Sequence, residues 1–140
     1  MRRPWDGTGG GEPPKWTSVL IVDDNDRYAR ALGDQMTAGG AAVERALNAA
    51  DGIKRLQNDA ARFDGIITDI SMETQISGLR ILRRARKLGF KGEIAVATTG
   101  LDTPLGYLFN RLFLGVLMRA DYLIPKRPIK QRGTIDWIHC

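Results

Sequence analysis

The chain of 140 residues is 43% hydrophobic and carries 21 Lys and Arg against 16 Asp and Glu, with one cysteine. That suffices for one domain able to bury about two thirds of the surface its unfolded chain exposes, and it excludes an internal disulfide framework. The net charge of +5 permits an acidic partner, but the basic residues are spread along the chain, so a solvated surface is expected rather than a nucleic-acid partner.

Residues 1–16 are rich in glycine and proline and show no apolar periodicity, which predicts a flexible tail ahead of a domain over residues 17–140. No apolar stretch follows MRRPW, so no secretory leader is expected, and the single Cys140 agrees with a reducing compartment. A cytoplasmic protein is predicted. Ser18 to Asp26, SVLIVDDND, is a run of buried-type residues that delivers two adjacent carboxylates, Asp23 and Asp24, to the end of a strand. The residues Tyr28, Ala31, Leu32, Gln35 and Met36 then recur at helical spacing, and Gly39 and Gly40 close that helix. The AAVERA segment is a weaker strand. Asn48 caps a helix that presents Ala49, Ile53, Leu56 and Ala60 on one side.

A second buried strand, GIITD, ends at Asp69 and is followed by a polar loop, SMETQIS. The spacing predicts a helix from about Gly78 to Leu88 whose inner face is Ile81, Leu82, Ala85 and Leu88. Its outer face is basic and reads as solvated surface. EIAVATT is another buried strand, ending in Thr98 and Thr99. A long helix is predicted from Pro104 to Arg119. Leu105, Leu108, Phe109, Leu112, Phe113, Val116 and Leu117 would dock it on the sheet, and Tyr107, Leu114 and Met118 form a second apolar row for a protein partner or self-association. That run is broken by Asn110 and Arg111 and falls short of the roughly 20 residues that span a bilayer. DYLI is the last strand, and the final KQRGTIDWIHC is expected to form only a short helix, interrupted by Gly133. Trp5, Trp16 and Trp137 are expected to patch the edge of the core or to stay exposed, and His139 is assigned no ligand role.

Strands alternating with helices specify an α/β domain with a five-stranded parallel sheet, whose ligands belong at the carboxyl ends of the strands. Those ends supply Asp23, Asp24, Asp69, Thr98 and, just after the last strand, Lys126 and Arg127. Three carboxylates sharing one crevice repel one another unless a cation offsets them. A hard divalent ion such as Mg²⁺ takes oxygen ligands and readily holds one or two carboxylates plus a phosphoryl group. A carboxylate beside it can attack phosphorus, and a hydroxyl and an ammonium can hold phosphoryl oxygens.

Over about Ser18 to Ile129 these residues resemble the receiver domains of two-component response regulators, the CheY-like family. The resemblance implies a doubly wound sheet of order 2-1-3-4-5. It implies Mg²⁺ bound by Asp23, Asp24 and Asp69, with Asp24 the direct ligand of the acid pair, and a backbone carbonyl from Ser71 in the same shell. It makes Asp69 the acceptor of a phosphoryl group from a histidine kinase or phosphotransfer protein, Thr98 the hydroxyl ending the fourth strand, and Tyr122 the aromatic switch residue. The chain departs from the family pattern in four places. The loop from Asp69 to Gly78 is one residue longer and lacks a common proline. The usual Tyr-x-x-Lys-Pro run is Tyr122 to Pro128 here, leaving either Lys126 or Arg127 for the basic position, with Lys126 favoured because the family uses an ammonium point charge. The segment between Thr98 and Tyr122 is longer, and the last helix is truncated.

Two readings therefore stand, neither of them a turnover enzyme on an external substrate. One is a phosphoryl-accepting receiver that signals through protein contacts. The other is a receiver-like interaction module that works without phosphorylation. A flavodoxin-like binder is disfavoured, because the carboxylates of DDNDR would repel a phosphate unless a metal intervened.

Overall fold

The computed structural model describes residues 13–70, 75–98, 105, 106, 108, 120–126, 128, 129 and 135–139, with the backbone alone for residues 70 and 75–79. Five parallel strands follow the predicted order: β1 (Ser18–Val22), β2 (Ala42–Ala46), β3 (Gly65–Ile70), β4 (Glu93–Thr98) and β5 (Tyr122–Pro125). A two-residue strand, β6 (Ile138–His139), adds antiparallel to β5, giving the order β2-β1-β3-β4-β5-β6. The expected terminal helix thus gives way, at its last described residues, to an edge strand. Ile138 pairs with Leu123 and His139 with Tyr122, so the end of the chain covers the β5 edge that would otherwise lie open.

Helix α1 (Asp26–Ala38) packs on one face of the sheet, and α2 (Ala49–Asp59) and α3 (Gln75–Lys87) pack on the other. Asn25 caps α1, accepting from the backbone N–H of Arg27 and Tyr28, and Asn48 caps α2 through the N–H of Asp51. Gly39 closes α1, and Gly40 follows with a φ of 96° that L side chains rarely adopt. α3 begins three residues before the predicted Gly78, inside the run read as a polar loop. Its predicted inner residues Ile81, Leu82 and Ala85 are fully buried.

Strand alternation divides the core into two layers. Leu20, Val22, Ile66, Ile94, Val96 and Leu123 lie under α2 and α3, whereas Val19, Ile21, Ile67, Ala95, Ala97, Tyr122 and Ile124 lie under α1. Trp16, at the end of the glycine- and proline-rich stretch, is buried in the second layer, so of its two expected places it takes the one against the core. Its ring meets Tyr122 and Trp137 edge to face at 6.0 and 5.8 Å, and its indole N–H donates to Glu93. Entry into β1 is held by Asp64, which accepts from Thr17 N, Thr17 Oγ1 and Ser18 N. Burial would raise the pKa of Asp64, but these hydrogen bonds outweigh it and lower the value.

Leu105 and Leu108, helical and placed by their spacing in the sheet-docking stripe, are instead 81% and 54% exposed. Helical spacing orients a stripe without saying which side of it meets the sheet. Tyr107, Leu114 and Met118 lie outside the described residues. Among the described residues no helix is long and apolar enough to cross a membrane.

Gly65 admits the Trp16 ring against the backbone of β3. A Cβ there would stand 2.1 to 2.7 Å from three ring carbons. Gly65→Ala should cost about 1–3 kcal/mol through this overlap, and Trp16→Ala about 3–5 kcal/mol through loss of a buried ring. Urea unfolding of the two variants measures both, and a wild-type midpoint for Trp16→Ala would place that ring outside the cooperative core.

Candidate functional site

The crevice lies where β1 and β3 end side by side and their outgoing connections diverge, since β2 and its helix lie to one side and β4 to the other. Val22 is aligned with Thr68, so each strand releases its acid just past the last paired residues. Asp23, Asp24 and Asp69 each offer a carboxylate oxygen, and these oxygens all lie within 4.8 Å of one another. Asp23 and Asp69 are buried, whereas Asp24 is exposed.

Asp23 is held from three directions. Its N–H donates to Ala46 O at 3.1 Å, its carbonyl accepts from Arg45 Nε and Nη2 at 3.1 and 3.0 Å, and its Oδ1 accepts from Asn25 N at 2.8 Å. Arg45 also pairs with Asp26 at 2.6 Å, so one arginine ties the first turn of α1 to the acid loop. Asp23 Oδ2 is buried with no hydrogen-bond partner. Burial pushes the Asp23 carboxyl up to about 6, and the charges of Asp69 and Asp24 add to the rise, against the hydrogen bond from Asn25 and the charge of Lys126. Helix capping belongs to Asn25, which leaves Asp23 turned into the crevice.

Lys126 immediately follows β5 and is 5% exposed. Its ammonium forms an ion pair with Asp69 Oδ1 and stands 4.8 Å from the centroid of the Tyr28 ring. Arg127, the other basic candidate, lies outside the described residues, as does Ser71. Thr98 is buried at the end of β4, one position beyond Ala97, the residue aligned with Asp69. The structure thus brings Asp23, Asp24, Asp69 and Lys126 into one cluster, with Thr98 ending the neighbouring strand.

It does not bring Tyr122 there. Tyr122 is aligned with Ala95, three residues before Thr98, and lies in the layer under α1, whereas Thr98 continues the alternation of Ile94 and Val96 towards the opposite face. The ring is buried against Trp16, against Trp137 at 5.7 Å and against His139 at 4.7 Å. Burial raises the Tyr122 pKa, and the charge and hydrogen bond of Glu93 raise it further. The cause is parity. Lys126 stands four positions after Tyr122 where the family pattern has three, and in a strand a shift of one residue exchanges faces. Leu123 takes the position three before the lysine.

Sequence reasoning missed three contributors. Asn25 carries an N-cap signal that the neighbouring acids masked. Arg45 and Tyr28 act across elements, and no local pattern announces such contacts.

Oxygen donors alone, one of them a buried carboxylate oxygen without a donor, form a set that suits a hard divalent cation. The family model described as response regulator receiver domain matches residues 19–106. No curated protein sequence matches the chain. Among solved structures, a response regulator receiver domain protein from Clostridium thermocellum superposes with a TM-score of 0.65 at 22% identity, over 79% of this chain and 82% of that one. A response regulator from Burkholderia pseudomallei, carrying a phosphorylated aspartic acid, calcium ion and citrate, gives 0.61 at 25% identity over 79% and 60%. TrrA of Thermotoga maritima, in complex with Mg²⁺ and BeF, gives 0.51 at 27% identity over 59% and 69%.

The raised Asp23 value sets a pH dependence. Between about pH 4 and 6 the folded protein keeps a proton that the unfolded chain has released, so this group's contribution to stability falls as pH rises through that window. A rise of about two pKa units corresponds to roughly 3 kcal/mol. In chelator, wild type should therefore lose about that much relative to Asp23→Asn between pH 4 and pH 7. Parallel stability profiles for the two proteins would show that Asp23 is not strained in the fold.

Proposed function

The chain belongs to the response regulator receiver domains, and from that membership we propose that it accepts a phosphoryl group on Asp69 in a Mg²⁺-dependent reaction and signals through protein contacts. The observation that carries this reading is the buried Lys126 ammonium paired to Asp69 beside an Asp23 oxygen that lacks any donor. Among the described residues the cluster sets one cation, Lys126, against three carboxylates, an imbalance that a divalent ion would offset. The phosphorylated aspartic acid of the Burkholderia structure and the Mg²⁺ and BeF of the Thermotoga structure support the same assignment.

In this reading Asp23, Asp24 and Asp69 would hold Mg²⁺, with a backbone carbonyl of Ser71 as a further ligand. The bound ion would supply neutralisation of charge on the transferring group. An Asp69 carboxylate oxygen attacks phosphorus of a phosphohistidine. The P–N bond breaks as the new P–O bond forms, and the imidazole leaves with the donor protein, a histidine kinase or phosphotransfer protein. Lys126 moves from pairing the free carboxylate to pairing a phosphoryl oxygen of the product, and Thr98 offers its hydroxyl to another. The protein would act in the cytoplasm and pass its state to a downstream protein partner or to a second copy. The segment of residues 104–119, in which Leu105 and Leu108 are exposed, is the surface we assign to that contact.

Incubation with a small-molecule phosphodonor and Mg²⁺ should add the mass of one phosphoryl group to wild type and none to Asp69→Asn. Equal labelling of both would move the acceptor elsewhere. Mg²⁺ alone should raise the melting temperature by several degrees, since an ion held at one hundred times its dissociation constant stabilises by about 2.7 kcal/mol, and Asp24→Asn should weaken that response. A melting curve indifferent to millimolar Mg²⁺ would favour a module that works without phosphorylation.

A further inference from the structure

We infer that Tyr28 is a positioning residue that holds the Lys126 ammonium on Asp69; its consequence for phosphoryl transfer rests on the reading proposed above, and its geometry does not. Lys126 is a long side chain on a buried backbone, with four rotatable bonds between its Cα and its charge. Pairing with one carboxylate does not by itself select the arrangement that faces the crevice. The Tyr28 ring, 4.8 Å from Nζ, adds a second attraction on another side of the ammonium.

The chemistry of that second contact matters. A carboxylate in the place of the ring would compete with Asp69 for the N–H donors and would add a fourth negative charge to the cluster. An aromatic face attracts the cation through its quadrupole and leaves those donors for oxygen. It also persists when the partner oxygen changes from Asp69 to a phosphoryl group.

The ring is placed by the same turn that orients the metal-side acid. Asn25 N donates to Asp23 Oδ1 at 2.8 Å, and Asn25 Oδ1 accepts from Arg27 N at 3.0 Å and from Tyr28 N at 3.2 Å. The start of α1 is thereby locked to Asp23, and Tyr28 projects from that start towards the end of β5. The departure in spacing around Lys126 gives this contact its reason. A lysine directly after the strand, four residues beyond Tyr122 instead of three, needs a tertiary contact to aim it, and Tyr28 lies on the crevice side of α1 to provide one.

The test uses the full chain in four forms: wild type, Tyr28→Phe, Tyr28→Leu and Tyr28→Met, the last in case leucine disturbs folding. Proton NMR of Lys126 reads the contact without any phosphorylation. Its ε-methylene protons should be shifted upfield by ring current in wild type and Tyr28→Phe, and should lose that shift in the aliphatic variants. Labelling by acetyl phosphate with Mg²⁺ reads the consequence. Tyr28→Phe should label within about twofold of wild type, and the aliphatic variants roughly five- to thirtyfold more slowly at an unchanged Mg²⁺ midpoint, as the loss of a desolvated cation–π contact implies. Rescue by phenylalanine separates aiming of the ammonium from general packing. An upfield shift that survives in Tyr28→Leu and Tyr28→Met, or wild-type labelling by both, overturns the inference. If wild type itself takes no phosphoryl group, the phosphoacceptor reading falls alone, and the NMR shift decides whether the ring holds the ammonium.

Discussion

Three carboxylates whose oxygens lie within 4.8 Å of one another impose the constraint to which the rest of the site answers. At that separation each like pair costs about 3 kcal/mol for an effective dielectric constant near 20. Lys126 offsets part of this by pairing with Asp69, and being buried it does so with little screening. Asp24 is relieved by water. The remaining load falls on Asp23, which is buried, faces two other acids and has one oxygen without a donor. Such a site is a source of instability in the free protein, and a cation bound there would recover part of the same free energy.

The sheet creates this constraint and the turns sustain it. Parallel pairing of β1 with β3 fixes the register at Val22 and Thr68, so the acids that follow have little freedom to separate. Arg45 and Asn25 then hold the backbone and one oxygen of Asp23, each at ordinary hydrogen-bond lengths. A loop free to relax would carry its charges apart. This one is pinned to β2 on one side and to the cap of α1 on the other.

Much of this was legible in the sequence, because the signals were local. Buried runs ending in acids, helical stripes and the Asn48 cap pointed to the parallel strands, their order through the family resemblance, and the membership of Asp23, Asp24, Asp69 and Lys126 in one crevice. What escaped depends on parity, on tertiary contact or on edges. Trp16 ends a glycine- and proline-rich stretch, and whether it patches the core or stays exposed is undecided locally because the groove that receives it is made by Gly65, 49 positions away in the chain. Ile138 and His139 carried no strand pattern longer than two residues, and their pairing exists because β5 offers an open edge. Leu105 and Leu108 had the spacing of a docking face, but spacing leaves the inward direction undetermined.

Parity has the widest reach of these. The extra residue between Tyr122 and Lys126 sends the tyrosine to the face under α1, where Trp16, Trp137 and His139 surround it. Edge-to-face rings at these separations each add about 0.5–1.5 kcal/mol beyond the area they bury, so rotation of Tyr122 would have to break several such contacts together with its hydrogen bond to Glu93. An aromatic ring held in this way is a structural strut between the start of the folded chain at Trp16 and its end at Trp137. Leu123, three residues before the lysine, occupies the other layer with Ile94 and Val96, the layer towards which Thr98 continues the strand's alternation. Any movement of Thr98 on phosphorylation would therefore meet aliphatic packing under α2 and α3 rather than a tyrosine ring.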